Sequence, residues 1–136
     1  MELALKERCV PKLRAQCFKG SFPNFYRKND GFVALINFQF NKYGGSFCVN
    51  LSYAGPHREN VVFVPEVEDR RLHVNATKVR QRLGAEDGGD KWFHFGETRY
   101  GSVSGRSREV DEIADICAQL LLSEAEDWWR AKRQSF

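Results

Sequence analysis

Hydrophobic and polar residues alternate most regularly over residues 32–41. Side chains two residues apart share a face of a β-strand, so this period predicts a strand with two different faces. One face carries Phe32, Ala34, Ile36, Phe38 and Phe40, and the other carries Val33, Leu35, Asn37, Gln39 and Asn41. The first face predicts core, whereas the second ends in a row of neutral amides.

Two neighbouring segments extend this strand into an antiparallel meander. Residues 22–28 predict a strand that is joined to it by the Asn29-Asp30-Gly31 turn, whose residues tolerate positive φ. Residues 46–53 alternate again after the Tyr43-Gly44-Gly45 turn, with Cys48, Asn50 and Ser52 on one face. Short turns between consecutive strands predict antiparallel pairing.

The middle of the chain predicts shorter strands. Residues 61–64 form an apolar run that ends at Pro65. Residues 78–83 fit a helix or a strand, and the alternation of Lys78, Arg80 and Arg82 with Val79, Gln81 and Leu83 favours the strand. A polar loop over residues 84–90 precedes a short aromatic segment at 91–95.

Both ends of the chain predict helices. Residues 2–18 show helical spacing, with a kink or a break at Pro11, since a proline inside a helix costs about 3 kcal/mol. Ser107 is a candidate cap of a second helical region, and Ser123-Glu124-Ala125-Glu126 fits a capping box that starts a further helix. Adjacent helical positions differ by about 100°, so Trp128 and Trp129 cannot both face the core.

The order of elements predicts a single α+β domain over residues 1–136. Its antiparallel sheet has about four to six strands, with the N-terminal and C-terminal helices packed on one face. A length of 136 residues fits one domain. Eleven Phe, three Trp and four Tyr are enough to form a core without disulfide bonds or a structural metal.

Charge and cysteine content narrow the class of protein. The net charge of +3 comes from 21 basic and 18 acidic residues, which is weaker than the clustered footprint of a dedicated nucleic-acid binder. The four cysteines form no Cys-x-x-Cys pair, and the first residues lack the pattern of an export signal, which favours reduced thiols in a cytoplasm. No apolar run approaches the ~20 residues of a membrane span.

Several motifs together resemble a bacterial family, the domain of unknown function numbered 4304. They are Phe25-Tyr26-Arg27 before a glycine turn, Ile36-Asn37-Phe38-Gln39, and Arg82-Leu83-Gly84 followed by Asp90-Lys91-Trp92. Cys17-Phe18 stands where that family often has Gly-Phe, and residues 55–77 match it poorly. The resemblance implies a compact α+β domain with Arg82-Leu83 in a strand. It implies no activity.

Catalytic and metal-binding patterns are weak. His57, His73 and His94 lack the spacing of a zinc site, and we expect neither metal nor cofactor. Cys48 is the one candidate nucleophile, because it lies among polar residues, although no base is signalled near it. The acidic loop at 84–90 favours a solvated turn over a phosphate cradle.

The amide row is the candidate ligand or partner surface. If the strand register aligns their faces, Asn37, Gln39 and Asn41 join Asn50 and Ser52 in one patch, since amides orient ligands without carrying charge. Basic residues could add a positive rim: Lys78, Arg80 and Arg82, with Arg27 and Lys28 on another strand. The alternative is that they are exposed residues paired with Glu66, Glu68 and Asp69. A solvated sheet face is the simpler alternative.

The favoured function is therefore a non-enzymatic binding module whose partner is another protein. An inhibitor or immunity-type role would suit such a domain. Nucleic-acid binding is the first alternative, prompted by a pI near 8.7, and a small-molecule enzyme that uses Cys48 is the second.

Overall fold

A six-stranded sheet with helices on one face forms the part of the chain that the structure describes. The structure is a computed structural model that describes residues 1–86, 88–96 and 107–136, with side chains from 109 onward in the last part. The helices are α1 (Glu2–Arg8), α2 (Val10–Ala15), α3 (Ser107–Leu122) and α4 (Glu124–Arg133). The strands are β1 (Lys19–Ser21), β2 (Asn24–Asn29), β3 (Phe32–Phe40), β4 (Ser46–Ala54), β5 (Gln81–Arg82) and β6 (Phe93–His94). The predicted α+β class is confirmed.

The hairpin between β2 and β3 fixes the register of the sheet. Asn29 pairs with Phe32, so the turn contains only Asp30 and Gly31, at φ 51° and 82°. Positive φ at both residues matches the twist of the flanking strands, which is why the Asp-Gly pair favours this turn. The predicted hairpin is confirmed.

The register between β3 and β4 places the amides together. Asn37 lies opposite Asn50, and Gln39 lies opposite Cys48. Because directly opposed residues of an antiparallel pair project to the same side of the sheet, these side chains share one face. The shared face that the sequence left conditional is therefore present.

The main core lies between the aromatic face of the sheet and the helices. Its sheet side comprises Phe32, Ala34, Ile36, Phe38, Phe47, Val49 and Leu51. Its helix side includes Leu5, Cys9, Leu13, Cys117, Leu121 and Trp129. The rings of Phe38 and Phe47 are buried, at 2% and 0% exposure. Burial of such aromatic side chains stabilises the packing of the helices on this face.

A smaller second core covers part of the opposite face. Leu72 and Val74 pack on Val33, Leu35 and Ala54. The segment that carries them runs through two 3₁₀ turns, Asp69–Arg71 and Val74–Ala76. This cover reaches one end of β3 and leaves the amide end of that strand at the edge of a cavity.

Residues 61–64 do not form the predicted strand. Val61 makes a single bridge to Thr77, and the next three residues are exposed: Val62, Phe63 and Val64. Val64 adopts φ 47° directly before Pro65, and a positive φ cannot continue a strand. Residues 61–64 are apolar and favour a strand by composition, but they form a surface loop because the backbone turns at Val64.

Two other boundaries differ from the prediction. The strand predicted at 78–83 is confirmed only for Gln81 and Arg82, which pair with Leu51 and Asn50. Lys19–Ser21, which directly follows the predicted helical segment 2–18, forms the edge strand β1 beside β2.

The helical region at each end of the chain is divided into two helices. α1 ends at Arg8, and Pro11 lies in the first turn of α2, where proline is tolerated, so the predicted break is confirmed. α4 begins after Ser123 without a side-chain cap, and the Ser123 hydroxyl donates to the Gln119 carbonyl instead. The capping-box prediction is wrong because Glu126 pairs with Arg27. The proposed cap by the Ser107 side chain lies outside the described atoms.

None of the helices in the described parts of the chain has the length and apolar character needed to cross a membrane.

Candidate functional site

A polar cavity of about 290 Å³ opens on the amide end of the sheet. Three strands supply its floor through Asn24, Asn37, Gln39 and Asn50. The loop before β5 supplies its wall through His73, Val74, Asn75 and Arg80. We call this cavity, with these eight residues, the amide pocket.

The floor amides form a hydrogen-bonded network. The Asn50 side-chain nitrogen donates to Asn37 Oδ1 at 3.1 Å and to Gln39 Oε1 at 3.0 Å. The Asn37 nitrogen donates in turn to Asn24 Oδ1 at 2.9 Å. Asn50 is 9% exposed, so both of its protons are used within the protein. Such a network holds amide groups in fixed orientations.

The same network leaves donors available at the pocket. Its bonds occupy the oxygens of Asn24 and Gln39, and within the described residues their side-chain NH₂ groups have no hydrogen-bond partner. Each NH₂ group has two protons to donate. The floor therefore offers hydrogen-bond donors to whatever enters.

Arg80 adds a positive charge to the wall. Its Nε and one terminal nitrogen donate to the Thr77 carbonyl at 3.2 and 3.0 Å, which fixes the guanidinium. Nη1 has no partner among the described residues, and within that part of the chain no carboxylate pairs with Arg80. Among the described residues, no Asp or Glu lines the pocket. A fixed guanidinium beside amide donors suits a carboxylate or another acceptor-rich group.

Cys48 lies opposite Gln39 on the amide face of the sheet, as a buried thiol. It is fully buried, and its Sγ lies 3.7 Å from Gln39 Oε1 and 4.0 Å from Asn50 Oδ1. Burial raises the pKa of the Cys48 thiol from 9.0 to about 11, against a smaller lowering by Arg82. A nucleophilic cysteine needs the opposite shift, so this environment does not favour the catalytic role considered for Cys48.

Three residues predicted for the surface lie outside the pocket. Asn41 closes the β3–β4 turn, where its oxygen accepts from the Tyr43 amide at 2.9 Å. Ser52 is fully buried and donates to the Val79 carbonyl at 2.9 Å, so a ligand cannot reach it. Arg82 pairs with Asp90 at 2.6 Å. Asn37, Gln39, Asn50 and Arg80 are the predicted residues that the fold brings together at the pocket.

The proposed basic rim does not include Arg27. Its side chain lies on the helix-covered side of the sheet, with two bonds to the Glu126 carboxylate at 2.7 and 2.9 Å. The guanidinium also lies over the Phe18 ring, 4.5 Å from its centroid. Lys28 pairs with Asp69 at 3.6 Å. Arg27 thus joins α4 to the sheet.

A larger cleft of about 440 Å³ lies beside this ion pair, but its charges are already matched. Arg27 is neutralised by Glu126, Arg130 by Asp127 and Arg133 by Asp30. The amide pocket is smaller, yet it alone of the two combines free donors with a cation that lacks a carboxylate among the described residues. We therefore treat the amide pocket as the candidate site.

The sequence prediction missed Asn24, His73 and Asn75. The position of Asn24 could have been predicted from the sequence. A two-residue turn that pairs Asn29 with Phe32 also places Asn24 opposite Asn37. His73 and Asn75 carried no such signal, since their approach to the sheet depends on how the loop around Leu72 and Val74 packs. Across the described ranges, no three His, Cys, Asp or Glu side chains come together as a metal site would require.

The chain belongs to a family defined only as a domain of unknown function, DUF4304, whose model matches residues 9–134. The resemblance found in the sequence is therefore confirmed over nearly the whole chain. Neither the curated proteins nor the solved structures contain a significant match to it.

Proposed function

We propose that this member of the DUF4304 family is a non-enzymatic binding module whose amide pocket holds a polar segment of another protein. The observation that supports the proposal is that the pocket floor offers side-chain NH₂ groups as hydrogen-bond donors. The Asn50 side-chain nitrogen engages Asn37 and Gln39, and this leaves the NH₂ groups of Asn24 and Gln39 to a ligand.

A peptide backbone is well matched to such a floor. Its carbonyl oxygens accept hydrogen bonds, and sequence-independent main-chain contacts give affinity in many peptide-recognition domains. Neutral side-chain amides also orient a ligand at a modest desolvation cost compared with paired charges. Both considerations favour recognition of a chain segment over chemistry on a small molecule.

Titration of the ¹⁵N-labelled protein would test this proposal at the residues concerned. We would add pools of acetylated, amidated hexapeptides in which one position is fixed as Asp, Asn, Lys or Leu. The side-chain NH₂ signals of Asn24 and Gln39 should shift with at least one pool. Gln39→Ala should weaken that binding, whereas Gln16→Ala, at an exposed residue on the helix side, serves as the matched control.

The outcome that would overturn the proposal is equally specific. If none of the pools shifted the amide signals up to millimolar peptide, the pocket would not be a peptide site. A single-stranded oligonucleotide in the same titration tests the nucleic-acid alternative, for which log K should fall linearly with log salt concentration.

A further inference from the structure

A second cavity adjoins the amide pocket. It has a volume of about 470 Å³, and its apolar walls come from Phe63, Val64, Val67 and Ala76. His73 and Asn75 line both cavities. We call the second cavity the apolar cleft, and we call the two cavities, which meet at His73 and Asn75, the groove.

The apolar cleft presents large side chains to solvent. Phe63 is 64% exposed, Val64 58% and Val62 51%. Phe63 and Val64 line the cleft and Val62 directly precedes them, so one short loop exposes three large apolar side chains. Contiguous exposed apolar surface beside polar groups is typical of interaction sites.

The charged residues that line the groove, among those the structure describes, are arginines. Arg80 lies in the amide pocket and Arg71 in the apolar cleft, and neither pairs with a carboxylate in the described parts of the chain. In residues 1–86, 88–96 and 107–136, no Asp or Glu lines either cavity. Glu66 and Glu68 belong to the same loop but line neither cavity, and Glu68 pairs with Arg70 at 2.7 Å. A partner of complementary charge is therefore acidic.

We propose that this groove docks an extended acidic segment of a partner protein, with a carboxylate on Arg80 and an apolar side chain on Phe63 and Val64. The inference rests on the proposed function and specifies the partner chemistry. The amide donors of Asn24 and Gln39 bind the backbone or the same carboxylate. The apolar anchor supplies contact area, while the charge pair selects acidic segments over basic ones.

Selection of phage-displayed random twelve-residue peptides on the folded full chain tests this assignment. The enriched peptides should combine Asp or Glu with Leu, Ile, Phe or Met. A synthetic copy of the most enriched peptide should bind Arg80→Gln and Phe63→Ser at least about tenfold more weakly than the wild type. Its affinity for the wild type should also fall as salt is added.

Matched variants separate the groove from general effects. Lys12→Gln removes one exposed charge on α2, and Leu3→Ser removes an apolar side chain that is 67% exposed on α1. Both should bind the peptide as the wild type does. Because Arg80 also holds the Thr77 carbonyl, Arg80→Lys and Arg71→Gln provide a charge-retaining and a second charge-removing variant. The peptide should bind Arg80→Lys more tightly than Arg80→Gln.

Each remaining outcome counts against the acidic segment. Enrichment of neutral or basic peptides, or binding that is unchanged in Arg80→Gln and Phe63→Ser, would overturn it. If such peptides still shifted the Gln39 amide signals, the binding module would stand and only the partner chemistry would fail. Absence of any enriched binder would overturn this inference as well.

Discussion

The indole nitrogen of Trp129 donates a hydrogen bond to the backbone carbonyl of Ser52 at 2.9 Å. Trp129 is 2% exposed and packs near Phe18, with ring centroids 5.4 Å apart. The bond therefore ties α4 directly to β4 from the helix side. The Ser52 hydroxyl bonds to the Val79 carbonyl of the loop before β5. One residue thus links the C-terminal helix, the sheet and the loop that builds the amide pocket.

Trp129→Phe should destabilise the fold by about 2–3 kcal/mol, since it removes a buried hydrogen bond and leaves unfilled volume. Trp128→Phe is the matched control, because Trp128 is only partly buried and contacts Tyr53 edge-on. Its cost should be about 1 kcal/mol or less. Urea unfolding of both variants measures the difference, and equal losses would contradict the role assigned to the Trp129–Ser52 bond.

Cys17→Gly should stabilise the protein by about 0.5–1 kcal/mol. Cys17 has φ 70° after α2, where Phe18 N–H bonds to the Leu13 carbonyl in the pattern of a glycine-type helix end. An L-residue other than glycine in this conformation costs about 1–2 kcal/mol, and glycine removes that cost. Glycine also raises the conformational entropy of the unfolded chain, which offsets part of the gain.

Cys17→Ala separates backbone strain from loss of the thiol, because it removes the sulfur and keeps Cβ. Its free energy of unfolding should remain close to that of the wild type. If alanine stabilised the chain as much as glycine does, positive φ would not be the cause.

Asn50→Asp should cost about 2–4 kcal/mol at neutral pH, because a carboxylate would face the carbonyl oxygens of Asn37 and Gln39 in place of a donor. Those oxygens raise the folded-state pKa of the new carboxyl above its unfolded value of about 3.9. Stability is then greatest below that value and is lost as the pH rises through the folded pKa.

Urea unfolding of Asn50→Asp at about pH 4 and pH 7 therefore measures a larger deficit at the higher pH. Asn75→Asp places the same charge at an exposed position of the pocket wall, and its effect should stay within about 0.5 kcal/mol. A deficit in Asn50→Asp that did not change with pH would show that the network does not depend on the Asn50 donor.

The stability of the wild type should fall in alkaline solution through Cys48. Burial raises the folded pKa of this thiol from 9.0 to about 11. The unfolded chain loses its proton first, so stability is fully present below about pH 9 and is lost as the pH rises toward 11, by at most about 1.4 kcal/mol per pH unit for one thiol.

Cys48→Ala isolates this contribution from those of Cys9 and Cys117, whose pKa values burial also raises. The difference in unfolding free energy between the wild type and Cys48→Ala should narrow between about pH 8 and pH 10.5. Cys17→Ala, which removes an exposed thiol, is measured beside it as the matched control. A constant difference for Cys48→Ala would contradict its raised pKa.

The best sequence predictions were those with a local physical cause. The Asp30-Gly31 turn needs residues that tolerate positive φ, and it fixes the pairing of Asn37 with Asn24 as well as the β2–β3 hairpin. Alternation along β3 separated the core face from the amide face. The capping box failed where a local pattern met a distant partner, since Arg27 engages Glu126.

Strand alternation in the sequence predicted only some of the residues of the candidate site. Asn37, Gln39 and Asn50 followed from strand alternation, and the structure places all three on the pocket floor. Ser52 satisfied the same alternation but is buried, because Thr77 and Val79 cover it. Period-two spacing assigns a side chain to a face, whereas accessibility depends on what packs over that face.

The sequence alone determined the strands, the turn chemistry and the two chemically different faces of the sheet, because backbone preferences and side-chain periodicity act between near neighbours. Only the tertiary structure decided that Leu72 and Val74 cover one end of the face opposite the main core, while residues 73–75 and Arg80 form the wall of the cavity at its amide end. That division depends on Leu72 and Val74 reaching Val33 and Leu35 across a long stretch of chain. Such contacts depend on overall packing, which no local pattern specifies.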